Sequence, residues 1–348
     1  MNARKNKTFG AKKTRQESFF IENLVIYQQE ANMDILLQFV LLAVGFVMLM
    51  KGADWFVDAA SKIADKFGIP HLVIGLTIVA FGTSAPEAAV SISAAVKGSV
   101  DLAIGNVLGS NIMNVLLILG IASIIYPLAV KSTCIKFDIP FVFAISALLM
   151  VTGFVDGKLG RGDGIIFWIL LILYCVYMVY LTKKGQADME EVEEADENDK
   201  VWKLLLFLVV GGAMIVLGAD ITVNAASSIA AEFGMSERLI GLTIVAFGTS
   251  LPELVTSCVA ASKKETDIAV GNIVGSNPFN ILFVLGTTAV IKPIPYSTAY
   301  IFDNIAAILV MVILWLFVFR DKKLKRTGGI IMLVLYAAYF ANLLVSQM

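Results

Sequence analysis

Thirteen residues from Gly75, GLTIVAFGTSAPE, return almost unchanged from Gly241 as GLTIVAFGTSLPE, and Gly75–Ser84 and Gly241–Ser250 are identical over ten positions. A shift of 166 residues carries the match further without a gap. It superposes GAD at 52–54 on GAD at 218–220, GNVLGSNIMN at 105–114 on GNIVGSNPFN at 271–280, and Pro127 on Pro293. Whatever fold this chain adopts is therefore built twice, and each proposed element has to make sense in both places.

Both copies are apolar. The 348 residues are 58% hydrophobic and 16% charged, with mean hydropathy +0.82, where a soluble domain carries about 25% charged residues. Apolar runs recur near the roughly 20 residues that cross a bilayer as a helix. Ten spans are read, near 34–60, 70–97, 101–126, 138–156, 163–182, 201–231, 237–262, 267–292, 298–319 and 326–346. Five fall in each copy, and an odd number makes corresponding helices cross in opposite directions. The expected fold is an all-α membrane protein of ten transmembrane helices, arranged as two inverted five-helix repeats. The repeats occupy 34–182 and 201–348. Residues 1–33 form an N-terminal extension, read as mobile or as an over-extended start ahead of Met33. The linker at 183–200, KKGQADMEEVEEADENDK, holds eight acidic residues from Asp188 to Asp199. A solvated, disordered connector is the favoured reading over a regulatory cation site.

Loops after odd-numbered spans hold 16 of the 27 Lys and Arg, loops after even-numbered spans hold five, and the remaining six lie in the N-terminal tail. The positive-inside rule puts the linker in the cytoplasm and both termini outside the cell membrane. The three cysteines, Cys134, Cys175 and Cys258, form no CxxC pair, so neither a disulfide framework nor a zinc site is indicated. A net charge of −1 with no basic face gives no reason to expect nucleic acid. His71 follows Pro70 at the head of a span and reads as an interfacial side chain. No cleavable signal is evident in the basic first segment, and no phosphate loop or nucleophile triad supports an enzyme.

Glu87 and Glu253 sit mid-span with no Lys or Arg nearby in sequence. A carboxylate at that depth costs about 2.5–3.5 kcal/mol on insertion scales. A protonated glutamate bonded to a neighbouring helix would account for one such residue; two at matching positions favour a functional pair. Just upstream, Pro86 and Pro252 lack an N–H, so the Gly82 and Gly248 carbonyls lose their helical partners. The helix should unwind or kink at Gly-Thr-Ser, and carbonyls freed at membrane depth are tolerated only where protein or a water-lined cavity satisfies them. Thr83 and Glu87, at i and i+4, share a face. A plain kink, with Thr and Ser bonding their own backbone, accounts for the break but not for the acid.

The third span carries Asn106, Ser110 and Asn114 at spacings of four, and the eighth repeats them as Asn272, Ser276 and Asn280. Asn106 and Asn272 read equally well as glue between helices. Glycines at 105, 109, 271 and 275 favour close approach, and Asp101 and Asp267 read as helix N-caps rather than ligands. The inventory is two carboxylates, hydroxyls, freed carbonyls and amide oxygens, with no thiolate or imidazole. Such a set suits hard cations, and six to eight flexible oxygens suit Ca²⁺ better than Mg²⁺. Two ionised glutamates are neutralised by one Ca²⁺ or by two Na⁺, whereas a third Na⁺ leaves the site at +1. One cage can thus hold either ion in turn.

In these residues the chain resembles the Ca²⁺:cation antiporter superfamily, most of all the prokaryotic sodium/calcium exchangers. The paired GTSxPE and GNxxGSN motifs carry the resemblance over nearly the whole chain after Met33. It implies Glu87 and Glu253 as the main metal ligands, flanked by Thr83, Ser84, Thr249, Ser250 and the carbonyls of Ala80 and Ala246. Ser110 and Asn114 join from the third span, Ser276 and Asn280 from the eighth. It implies exchange of Na⁺ for Ca²⁺ by alternating access, with spans one and six, which carry the GAD segments, sliding across the other eight. Transported Ca²⁺ and Na⁺ are the substrates, the bilayer is the other partner, no cofactor is expected, and no oligomeric state is assigned. Asn280 stands where potassium-dependent relatives carry an acid, which argues against K⁺ co-transport. The linker leaves no room for a folded calcium-sensing domain. Proton-coupled members usually read GN where this chain reads GTS before the acid, so a Ca²⁺/H⁺ antiporter is the runner-up. A cation channel is the alternative of another class, disfavoured by the duplicated broken helices. A scaffold without transport would leave the paired acids unexplained.

Overall fold

The computed structural model describes residues 2–97, 100–188, 200–234, 246–297 and 299–347, with side chains from Ile35 onward. The extension expected to be mobile and most of the acidic linker therefore lie outside the residues with described side chains, as do 241–245 of the second GLTIV copy and the Asp101 side chain.

The described chain is almost entirely helical. Helix α1 is Asn2–Phe67, with its apolar part at Ile35–Phe67. Helices α2 (His71–Thr83) and α3 (Ala85–Val96) are two pieces of one bent span. They are followed by α4 (Leu102–Ile125), α5 (Cys134–Asp156) and α6 (Arg161–Lys183). The second copy comprises α7 (Val201–Glu232), the short α8 (Ala246–Thr249), α9 (Leu251–Ser262), α10 (Thr266–Ile291), α11 (Tyr300–Phe319) and α12 (Arg326–Leu343). Among the described residues eight helices are long and apolar enough to cross a membrane, nine if α2 and α3 count as one span, and α9 is a shorter apolar helix. This is a multi-pass membrane protein.

Helix α1 continues past residue 60, where the apolar run weakens, because Ile63 and Ala64 are still buried against the protein. It stops at Gly68, whose φ of +60° is a left-handed position that glycine adopts without penalty. Gly234, its counterpart under the 166-residue shift, has φ +84° and follows α7.

Burial sorts the helices into centre and rim. The apolar stretch of α10 is 94% buried and that of α4 is 72% buried, against 17% for α1 and α12. The Asn/Ser stripes thus lie on the two central helices, while outer helices show residues such as Val176, Val179 and Val334 outward. Only glycine lets α1 and α7 approach as they do. A Cβ on Gly52 would meet the Gly211 carbonyl at 2.8 Å, and one on Gly218 would meet the Gly45 carbonyl at 2.9 Å. The shift maps Gly45 onto Gly211 and Gly52 onto Gly218, so the two crossings exchange places.

Two short ribbons tie the copies together. Strand β1 (Leu128–Ala129) pairs antiparallel with β4 (Lys323–Leu324), and β2 (Lys158–Leu159) with β3 (Ile294–Pro295). At the end of α1, Lys263 pairs with Asp54 and Asp58, each at 2.6 Å. His71 lies between Asp65 (2.8 Å) and Glu265 (2.9 Å), and Ser61 donates to Glu265 at 3.0 Å. His71 is thus clamped rather than simply interfacial. Asp267 is not an N-cap. Lys264, at φ +67°, turns the chain into helix at Thr266, so Glu265 precedes α10 and Asp267 falls in its first turn, 3.5 Å from Lys131.

Candidate functional site

The α2–α3 break falls at Ser84, with φ −82° and ψ 5°, and the two pieces meet at 44°. Ser250 does the same between α8 and α9, with φ −92° and ψ 6°. In both copies the proline sits two residues further on and the glutamate three. The missing N–H of proline weakens the helical ladder at that turn, and the hydroxyl residue at the break is left free to point across.

It points into the other copy. Ser84 Oγ donates to Glu253 Oε1 at 2.7 Å, and Ser250 Oγ donates to Glu87 Oε1 at 3.1 Å. Both glutamates are fully buried, and their carboxyl groups are near enough to interact directly. Among the described residues no basic side chain pairs with either, and Oε2 of each has no hydrogen-bond partner. Ser110 Oγ, on α4, shares a hydrogen bond with Ser250 Oγ at 3.2 Å. Ser276 Oγ, Asn114 Oδ1 and Asn280 Oδ1 are buried without a hydrogen-bond partner among the described residues. Five of the buried oxygens left unpaired by the described residues thus belong to the residues picked out as ligands, and an unpaired buried polar atom is costly unless something else meets it.

The threonines do a different job. Thr83 Oγ1 donates to Asn272 Oδ1 at 3.0 Å and toward the Ala80 carbonyl at 3.2 Å. Thr249 Oγ1 donates to Asn106 Oδ1 at 3.4 Å. Asn272 passes its own N–H to Ser257 at 2.9 Å, and Asn106 to Ser91 at 3.0 Å. Asn106 and Asn272 are therefore braces between helices, as their glue reading had it. The Ala80 carbonyl also accepts the Ser84 N–H at 3.0 Å. Ala246 opens α8, and its side chain is outside the described residues.

Spacing arguments passed over Asn111 and Asn277. Asn114 Nδ2 donates to Asn277 Oδ1 at 3.1 Å, and Asn280 Nδ2 to Asn111 Oδ1 at 3.3 Å. A face drawn through every fourth residue excludes position 111, about 100° away from Ser110 on a helix of 3.6 residues per turn. The available signal was the identity of GSN at 109–111 and 275–277.

Most of these contacts have a twin under the 166-residue shift: Ser84–Glu253 with Ser250–Glu87, Thr83–Asn272 with Thr249–Asn106, and Asn114–Asn277 with Asn280–Asn111. Among the described residues no group of three or more His, Cys, Asp or Glu is placed so that it could hold a metal ion. The donor set is two carboxylates with neutral oxygens, the chemistry of a hard cation.

A sequence profile described as "Sodium/calcium exchanger protein" matches residues 37–183 and 203–345. The putative antiporter CaxA of Alkalimonas amylolytica is 40% identical over 304 residues, covering 85% of this chain and 95% of that protein. The sodium/calcium exchanger MaX1 of Methanosarcina acetivorans is 35% identical, covering 89% and 99%. A solved structure of the sodium-calcium exchanger NCX_Mj superposes with TM-score 0.78 at 31% identity, over 89% of this chain and 99% of that one.

Proposed function

The chain belongs to the sodium/calcium exchanger protein family, and we propose that within it the protein is a secondary active antiporter, taking Na⁺ in one direction and Ca²⁺ in the other through the two-glutamate centre. The observation that carries the reading is the pair of buried glutamates, each held by a serine of the opposite copy and each keeping one oxygen unpaired. Glu87 and Glu253 supply the charge. Ser84, Ser250, Ser110, Ser276, Asn114 and Asn280 supply neutral oxygen. Thr83, Thr249 and the carbonyls of Ala80 and Ala246 are the outer members of the set, since Thr83 and Thr249 also bond Asn272 and Asn106 and the Ala80 carbonyl also accepts the Ser84 N–H.

Two carboxylates balance one Ca²⁺ or two Na⁺, so the ions compete for the same charge and cannot load together. Exchange follows when the loaded centre opens to one side at a time. In this reading α1 and α7, in close contact through Gly45, Gly52, Gly211 and Gly218, slide as a unit across the remaining helices. The ten-span inverted arrangement is supported by the ribbons: β1–β4 joins loops after odd-numbered spans and β2–β3 joins loops after even-numbered spans. The acidic linker then lies in the cytoplasm with the Lys/Arg-rich loops.

The test is Ca²⁺ uptake into proteoliposomes under imposed Na⁺, K⁺ and H⁺ gradients in turn. Uptake is expected to follow outward Na⁺ and to ignore K⁺. Uptake that follows a pH gradient and ignores Na⁺ would replace the counter-ion with H⁺, and flux without any counter-ion requirement would make the protein a channel.

A further inference from the structure

Asn111 and Asn277 meet each other at the boundary between the copies. Asn111 Nδ2 donates to the backbone carbonyl of Asn277 at 3.5 Å, and Asn277 Nδ2 to the backbone carbonyl of Asn111 at 3.4 Å. Asn277 Nδ2 also reaches Met311 Sδ at 3.8 Å. The freed amide oxygens then accept from the next asparagine out, Asn277 from Asn114 and Asn111 from Asn280. At the end of each chain an amide oxygen, Asn114 Oδ1 or Asn280 Oδ1, is buried and unpaired by the described protein. Asn114 begins a π-helical turn, Asn114–Ile118, and Asn280 lies in another, Phe279–Leu285. Such turns re-register the backbone ladder and are found at functional sites.

An amide side chain has two faces of nearly the same shape, an acceptor oxygen and a donor NH₂. A cation centre tolerates only the oxygen. A backbone carbonyl is always an acceptor and cannot turn over. The amide that faces it must show NH₂, which leaves its oxygen for the neighbour. That neighbour must donate, and so turns its own oxygen the other way. Reversing Asn277 would set its oxygen against the Asn111 carbonyl and its NH₂ against the NH₂ of Asn114.

We infer that Asn111 and Asn277 are positioning residues, which fix the polarity of Asn114 and Asn280 so that each presents oxygen rather than NH₂ to a hard cation. The inference rests on the reading of Asn114 and Asn280 as cation ligands. Neither Asn111 nor Asn277 touches the ion. They transmit the fixed polarity of two backbone carbonyls to it, crosswise between the copies.

A mutant cycle between positions 111 and 280 tests this, read as the KM for Ca²⁺ in Na⁺-loaded proteoliposomes. Asn111→Ala frees Asn280 to turn, and is expected to raise KM by up to about tenfold with kcat largely kept, the order of one buried hydrogen bond between neutral groups. In an Asn280→Asp background the same change is expected to leave KM unmoved or to lower it. A carboxylate shows oxygen whichever way it turns, and the retained Asn111 oxygen would face it unfavourably. An equal rise in both backgrounds overturns the proposal, because the loss would then be one of packing. Where Asn111→Ala does not yield folded protein, the mirror cycle of Asn277→Ala with Asn114→Asp decides by the same criterion. A background-independent loss in a chain that transports Ca²⁺ sinks the positioning role alone. A wild-type chain that moves no Ca²⁺ sinks the exchanger reading beneath it.

Discussion

Around Glu87 and Glu253 the two copies are interchangeable, and at the end of α1 they are not. Most of the central hydrogen bonds come in twins under the 166-residue shift, the Ser250–Ser110 bond excepted. The cluster of Lys263, Asp54, Asp58, His71, Asp65 and Glu265 is repeated only in part by the sequence, with Lys97 for Lys263 and Asp220 for Asp54. The same shift replaces Asp58 with Asn224, Asp65 with Ala231, His71 with Glu237 and Glu265 with Ser99. Those charges cannot rebuild the cluster at the other end. A cation held between the copies, as proposed, would draw ligands from each, which gives both copies reason to keep the same groups. In the proposed inverted arrangement the two ends face different compartments and are free to diverge. In the exchanger reading, symmetry marks the ion centre together with the residues that brace it, and asymmetry marks the rim.

The sharpest way to break this comparison is at the acids. Glu87→Gln and Glu253→Gln each remove one charge from a buried centre at constant shape. Each is expected to cost about 2–5 kcal/mol of ion binding, enough to abolish measurable Ca²⁺ exchange. Isotope flux in proteoliposomes checks it, and the equality of the two losses matters as much as their size. A chain that keeps exchanging with one glutamate gone would have its ion on one copy rather than between them.

Ser84→Ala and Ser250→Ala come next. Each strips the glutamate of the opposite copy of a serine hydroxyl donor, worth about 1.5–3 kcal/mol for a bond to a charged group. The expected result is a matched rise of about tenfold or more in the KM for Ca²⁺. Unequal losses would say that Ser250, which also meets Ser110, has a role its twin lacks.

A third pair probes the interface between α1 and α7. A methyl at Gly52 or Gly218 would stand under 3 Å from a facing backbone carbonyl, which neither helix can relieve without moving apart. Gly52→Ala and Gly218→Ala are each expected to lower thermal stability in detergent by about 1–3 kcal/mol, as overpacking does. If both variants melt like the parent, the helices have room that the geometry denies.

Much of the centre was legible because duplication doubled each signal. Ten identical residues exposed the broken helices, and two carboxylates at matching depth exposed the charge. The four-residue stripe put Ser110, Asn114, Ser276 and Asn280 on the two helices that turn out to be most buried. What was not legible depended on contacts between copies. Helical spacing puts Thr83 with Glu87, but the break at Ser84 turns Thr83 to Asn272 and gives Ser84 to Glu253. Asn111 and Asn277 were missed because their partners lie 166 residues away in sequence. The rim was missed for a plainer reason. Its carboxylates draw no reading from a first span that ends near residue 60, whereas α1 runs on to Phe67 and delivers Asp65 to His71.

That rim gives the smallest effect and the one with a pH signature. The His71 ring, hydrogen-bonded at 2.9 Å, holds the Glu265 carboxyl below its ordinary value of 4.5, against the opposing effect of partial burial, with Ser61 and Lys263 adding to the lowering. A carboxyl held down in the folded state contributes stability that is complete above 4.5 and is lost as pH falls through the depressed value. His71→Gln removes the main cause. The variant is therefore expected to melt below the parent at neutral pH, by no more than about 1 kcal/mol for a pair still in reach of solvent. The gap should close as acid protonates Glu265 in both proteins. Melting curves in detergent, taken across the acid range, read the gap directly. The KM for Ca²⁺ at neutral pH should stay where it was. A gap that widens in acid would reverse the sign of the linkage. A shift in Ca²⁺ KM as large as that of Ser84→Ala would mean the asymmetric rim reaches the symmetric centre after all.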